Sequence, residues 1–319
     1  MKAAVVTQAG QVPVYAEFDA PVAEAGHVLI DVEASALSHV TRAKASGSHY
    51  SSTGRFPFVA GVDGVGRRED GTRVYFFGPK EPSGGLAQRA LVPQARCLAI
   101  PETLDPVKAA AMAIPGMSSW AALTERAKFV SGETVLINGA TGASGRLAVQ
   151  IAKHLGAACV IATGRHQQTL DALKVLGADH VVSLAQDEAA LQRAFEPYFR
   201  AGVDVVLDYL WGPGAQTLLT CAARSLPDGY PMRFVQIGSI GGATLELPGA
   251  VLRASAISLM GSGIGSVPLE RLMHAVSEVL HAAVPAGLEI ATLAVPLEEL
   301  ALHWLNDAGR ARTVFTMQS

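Results

Sequence analysis

The stretch Gly132 to Gly156, GETVLINGATGASGRLAVQIAKHLG, decides the fold. Thr134 to Asn138 is a short apolar run with β-branched residues, the composition of a buried parallel strand. Gly139, Gly142 and Gly145 follow. After them Leu147, Ala148, Ile151, Ala152 and Leu155 recur at helical spacing, and Gly156 supplies a stop. Strand, glycine turn and helix together bring backbone N–H groups and a helix N-terminus close to where a pyrophosphate can sit. A side chain at Gly142 would block that approach. The alternative is a tight strand-to-helix turn whose glycines serve only positive φ or helix packing.

Outward from this unit, strands and helices alternate. Ala158 to Ala162 is followed by Gln167 to Leu176, His180 to Ser183 by Glu188 to Phe199, and Val203 to Tyr209 by Ala215 to Ala223. Met232 to Ile237 and Ile257 to Gly261 add two more strands. The alternation predicts a doubly wound parallel sheet with ligand at the strand carboxyl ends. Before it, Asp105 to Met112 and Ser118 to Ala127 read as helices.

The first part of the chain is different. Ala3 to Val6, His27 to Ala34, Gly71 to Phe77 and Ala87 to Val92 are short strand-like runs separated by Gly, Pro and polar turns. Gly61, Gly64 and Gly66 suit a compact barrel in which backbone passes close to backbone. One helical piece stands out, around Ser38 to Ser46. After the Rossmann-like region, Pro268 to His281 is an amphipathic helix, and Ile290 to Met317 returns to strands around a helix over Leu297 to Gly309.

With 319 residues, half of them hydrophobic and 17% charged, the chain can build two cores and is not disordered. A formal net charge of -3 and the absence of any dense Lys/Arg run argue against nucleic acid or an anionic membrane as partner. The N-terminal apolar run breaks at Thr7 and Gln8, short of a signal-peptide core, and no segment reaches transmembrane length. A cytoplasmic protein acting on a small molecule is the expectation. Cys97, Cys159 and Cys221 are far apart with no CxxC pair, so reduced, structural cysteines are expected rather than a disulfide framework or a cysteine-rich zinc lobe.

The cofactor can be read from the second strand of the sheet. An NAD-preferring site places an acid at its end to bond the adenosine ribose. Here no Asp or Glu occurs from Ala157 through Gln168, and Thr163, Gly164 and Arg165 occupy the place. A guanidinium beside small neutral residues suits a 2′-phosphate, which points to NADPH. Gly139, Thr141, Gly142, Ala143, Ser144 and Gly145 form the expected pyrophosphate turn. The fold also directs Asp208, Tyr209, Leu210, Ile237, Gly238 and Ser239 toward the nicotinamide half.

These features resemble the medium-chain dehydrogenase/reductase superfamily, and within it the zinc-free quinone oxidoreductase-like branch. The resemblance runs through SGSHY at Ser46 to Tyr50, AGVDGVG at Ala60 to Gly66, NGATGASG at Asn138 to Gly145 and RTVF at Arg312 to Phe315. It implies an α/β chain with a GroES-like β-barrel catalytic domain and a Rossmann domain. The expected segments are 1–115 for the first part of the catalytic domain, 116–253 for the NADP-binding domain, and 254–319 for the end of the Rossmann sheet and the return. Where zinc alcohol dehydrogenases hold their metal, this chain has Ser38, Val62 with Asp63, and Ile114 or Pro115, so no metal site is expected. Without a Lewis acid, reduction of a quinone or an α,β-unsaturated carbonyl compound is the chemistry implied, with Tyr50 as leading donor to the substrate oxygen and Ser38 and His49 behind it. Bland readings stand beside these: Tyr50 as a pocket wall, Ser38 as a helix cap in SHVT. A zeta-crystallin-like structural or RNA-binding role and an alcohol dehydrogenase are the alternative functions. Ala256 to Gly263 reads as the last strand of the sheet, which the resemblance implies is paired across the two-fold axis of a homodimer.

Overall fold

The computed structural model describes residues 1–48, 54–306 and 311–317. Two compact units divide the chain: Met1–Ile114 with Ser277–Ser319, and Pro115–Val276. No helix among the described residues is long and apolar enough to cross a membrane.

The first unit begins with β1 (Lys2–Val6), β2 (Val14–Glu17), β3 (His27–Ala36), α1 (His39–Ala45), β4 (Phe58–Val59), β5 (Asp63–Arg68), β6 (Arg73–Phe77), β7 (Arg89–Pro93) and β8 (Cys97–Ala99). Antiparallel pairing of β3 with β5 and β7, and of β5 with β6, builds most of one large sheet. β5 runs through Gly64 and Gly66, which sequence propensity reads as punctuation rather than as strand. The glycines belong there because a Cβ on Gly66 would lie 2.2 Å from the Asp31 carbonyl oxygen and one on Gly64 2.7 Å from the Phe76 ring. Ile30, Val32, Val74, Phe76, Ala90 and Val92 fill the space under this sheet.

The helix α2 (Pro106–Ala121) is continuous through Pro115, where sequence punctuation places a break between two helices. A π-turn over Ala122–Arg126 follows. The second unit then alternates β9 (Thr134–Asn138), α3 (Ala143–His154), β10 (Cys159–Gly164), α4 (Gln167–Val175), β11 (His180–Ser183), α5 (Glu188–Ala201), β12 (Val205–Asp208), α6 (Gly212–Ser225), β13 (Met232–Gln236), α7 (Gly249–Arg253) and β14 (Ile257–Gly261). All five pairings are parallel, in the order β11-β10-β9-β12-β13-β14. This is the doubly wound Rossmann order, 3-2-1-4-5-6 in strands of this sheet. The apolar runs are explained by burial on both faces: Val135, Leu136, Ile137, Val205, Val206 and Leu207 are all fully buried.

After α8 (Leu269–Ala282), the chain adds β15 (Thr292–Pro296), α9 (Leu300–His303) and β16 (Arg312–Thr316). β16 pairs antiparallel with β3, so the end of the chain completes a sheet begun in its first part. The helix expected over Leu297 to Gly309 is shorter: a 3-10 turn at Leu297–Glu299 leads into α9, and 307–310 lie outside the described residues. Leu300 and Trp304 are its buried contacts, packed with Phe315, Val6 and Leu86.

Candidate functional site

The sheet order puts β9 beside β12 although the chain leaves β9 for β10, which lies on β9's other side. Connections therefore depart in opposite directions from the carboxyl ends of β9 and β12, opening a crevice there. Gly139 turns out of β9 with φ +87, and Gly142 sits extended as the N-cap of α3. Gly142 has no side chain to cap with, and no acid stands in the first turn. The N–H groups at that end are thus offered without a carboxylate or hydroxyl cap, which is the arrangement an anion completes.

The three turn glycines have separate jobs. A Cβ on Gly142 would meet nothing within 4 Å, so the space before it is open. One on Gly145 would lie 2.5 Å from both the Ala140 Cα and the Gly139 carbonyl oxygen, so this glycine lets α3 press against the turn. One on Gly139 would meet the Leu210 side chain at 2.8 Å, which shows that the β12 turn lies against the β9 turn. Thr141, Ala143 and Ser144 are half-buried around this opening.

At the end of β10, Thr163 is fully buried and Gly164 packs under the Thr141 methyl, which a Cβ would approach to 2.3 Å. Arg165 follows, exposed on the turn before α4. Among the residues read as cofactor contacts, Thr163 and Asp208 turn their side chains inward. Thr163 Oγ1 donates to Asn138 Oδ1 at 2.8 Å and accepts the Gly139 N–H at 2.9 Å. Asp208 accepts from Asn138 Nδ2 at 2.8 Å and from the Leu210 and Trp211 N–H groups at 3.1 Å. Burial pushes the Asp208 carboxyl up and these donors pull it back. Tyr209 is buried too, its hydroxyl 2.8 Å from Ser119 Oγ, and burial raises that hydroxyl above the ordinary tyrosine range. Ile237 and Gly238 donate their N–H groups to the Asp208 carbonyl, while Ser239 is exposed. Asn138 and Ser119, which hold these side chains, are not legible as site residues in the sequence because their partners are remote along the chain.

In the first unit Ser38 is buried and its oxygen accepts the Thr41 N–H at 3.0 Å, capping α1. Tyr50 and His49 lie outside the described residues. Val62 is buried and apolar. Asp63 is buried as well: Oδ2 accepts from the Tyr75 hydroxyl at 3.1 Å, its carbonyl accepts from Ser35 Oγ, and Oδ1 has no hydrogen-bond partner. Burial pushes its carboxyl up to about 7 against the pull of Arg312 and Tyr75. No group of three His, Cys, Asp or Glu side chains converges among the described residues. Cys97, Cys159 and Cys221 are free thiols, each shifted upward by burial.

Comparison with known proteins adds four findings. The zinc-binding dehydrogenase family model matches residues 143–282, a span that contains none of Ser38, Val62 or Pro115. The chain is 28% identical to a protein of Emericella nidulans described as a "probable NADPH-dependent quinone reductase", over 96% of this chain and 97% of that one. It is 29% identical to a quinone oxidoreductase of Lama guanicoe, over 88% and 84% respectively. Among solved structures, a quinone oxidoreductase of Thermus thermophilus, also crystallised in complex with NADPH, superposes with a TM-score of 0.80 at 28% identity, covering 99% of this chain and all of that one.

Proposed function

The chain is an oxidoreductase of the medium-chain dehydrogenase/reductase superfamily, and from that premise we propose that it transfers a hydride from NADPH to a quinone or an α,β-unsaturated carbonyl compound without zinc. The observation that carries this reading is the end of β10 and the start of α3 together: an uncapped helix N-terminus behind the open Gly142, and an exposed arginine where an NAD site has an acid.

NADPH supplies the hydride. The chain's own contribution begins with the N–H groups of Ala143, Ser144 and Gly145, which would hold the pyrophosphate, and with Arg165, which would hold the 2′-phosphate. Gly238, Ser239 and Leu210 would offer backbone and apolar surface to the nicotinamide half. Hydride added to the β-carbon of a conjugated acceptor spreads charge onto a carbonyl oxygen, which needs a donor rather than a metal. Tyr50 is the proposed donor. Ser38 caps α1, its oxygen held by Thr41. Valine and a buried, hydrogen-bonded aspartate at Val62 and Asp63 supply no metal ligand set.

The test is a panel of quinones, enals and enones with NADPH, before and after prolonged chelation. The expected result is acceptor-dependent loss of NADPH absorbance that chelation leaves intact. Turnover that needs stoichiometric zinc, or none with any conjugated acceptor, contradicts the proposal. Arg165→Ala is expected to weaken NADPH by about 1 to 3 kcal/mol, the scale of a charge-assisted hydrogen bond, with little effect on NADH. Equal weakening of both nucleotides in a titration would place the guanidinium elsewhere.

The assembly proposed is a homodimer through β14. This strand is the edge of the six-stranded sheet, and Ser258, Leu259 and Gly261 are exposed on it. An open edge with exposed leucine is covered in a stable protein by pairing. Leu259→Pro, which removes an N–H from the ladder, is expected to give monomers in light scattering where the unmutated protein gives dimers. A monomeric mass for the unmutated protein at micromolar concentration would refute the dimer.

A further inference from the structure

The carboxyl ends of β9, β10 and β12 are joined by one chain of buried hydrogen bonds whose direction is fixed at its start. A backbone N–H can only donate, so the Gly139 N–H gives its proton to Thr163 Oγ1 at 2.9 Å. The threonine hydroxyl has one proton, and it goes to Asn138 Oδ1 at 2.8 Å. With its oxygen used in this way, the Asn138 amide presents its nitrogen to Asp208 Oδ1, again at 2.8 Å. The carboxylate then also accepts the Leu210 and Trp211 N–H groups. Asn138, Thr163 and Asp208 are each no more than 1% exposed. None of the three side chains therefore reaches a ligand; what they hold is two turns.

Both turns need holding. Gly139 adopts φ +87, and Trp211 adopts φ 58 with ψ -160, a region that residues with a Cβ rarely enter, followed by Gly212 at φ +64. The Leu210 side chain rests where a Cβ of Gly139 would be, so a shift in either turn moves the other. In a low-dielectric interior, a broken link leaves a donor or acceptor unsatisfied on each side of the break.

We propose that Asn138 is a positioning residue for the nucleotide, coupling the pyrophosphate turn of β9 to the strained Trp211 turn of β12 through Thr163 and Asp208. The proposal rests on the reading of this crevice as an NADPH site, but its structural half can be tested without nucleotide. Asn138→Leu keeps the volume and removes both hydrogen bonds. Thr163→Val removes the hydroxyl alone, and Thr163→Ser restores it.

The experiment is hydrogen–deuterium exchange of the nucleotide-free protein, followed by fluorescence titration with NADPH. Asn138→Leu and Thr163→Val should each speed exchange in both the 139–142 and 208–212 segments, and weaken NADPH about tenfold, the cost of one lost buried hydrogen bond. Thr163→Ser should return both readouts to near the unmutated values. Faster exchange in only the mutated turn, or coupled exchange with unchanged NADPH affinity, overturns the proposal. If Asn138→Leu does not fold, the Thr163 pair decides by the same criteria. Failure of the unmutated protein to bind NADPH sinks the cofactor reading and the nucleotide role together, while the exchange result still decides whether the two turns are coupled.

Discussion

Gly142→Val and Gly145→Ala are expected to fail in opposite ways. Valine at 142 meets open space, so the fold should lose no more than about 1 kcal/mol, the usual cost of a poor N-cap residue, while the proposed site predicts that NADPH binding falls at least about tenfold, since the side chain would fill the opening proposed for the pyrophosphate. Alanine at 145 instead drives a methyl to 2.5 Å from backbone at Ala140 and Gly139. Overpacking against backbone has no side chain to yield, so a loss of about 2 to 4 kcal/mol in stability is expected, read as a lower midpoint in urea. A Gly142→Val protein that binds NADPH as before would show that the opening is not the pyrophosphate site. An equally stable Gly145→Ala protein would show that α3 can draw back from the turn.

The second large effect lies in the barrel-like unit. Asp63 keeps its proton to about pH 7 in the folded protein, against 3.8 in its ordinary state, because burial disfavours the carboxylate more than Arg312 and Tyr75 favour it. A carboxyl whose folded value is raised contributes its stability in full below the unfolded value and loses it as pH rises toward the folded one. Stability from this group should therefore be greatest below about pH 4, fall from there to about pH 7, and be flat above. At 1.36 kcal/mol per pH unit, the loss between pH 5 and pH 8 is on the order of 3 kcal/mol. Asp63→Asn has no proton to lose. The difference in melting temperature between Asp63→Asn and the unmutated protein is expected to be small at pH 5 and to grow in favour of the asparagine by pH 8. Parallel curves across that range would mean the buried carboxyl does not titrate as its surroundings require.

Features that depend on neighbours in sequence were legible. The strand, glycine turn and helix of 134–154 follow from composition and period, and so does the alternation that places β9 to β14 in a doubly wound sheet. β5 was hidden because its glycines lower strand propensity, yet they are needed where Asp31 and Phe76 come within contact distance. Local punctuation also misread Pro115, since α2 continues through it. The inward-facing bonds of Asn138 link residues 25 and 70 positions apart, and no periodicity in the sequence encodes such a pairing. The absence of an acid after β10 was legible because it lies within one short segment of the sequence.

Direct titration of the unmutated protein with NADPH and with NADH tests the central claim most plainly. Saturable binding of one nucleotide per chain, tighter for NADPH, is the result expected from an uncapped α3 and an arginine at the end of β10. Binding of NADH as tight as NADPH, or of neither, would contradict it.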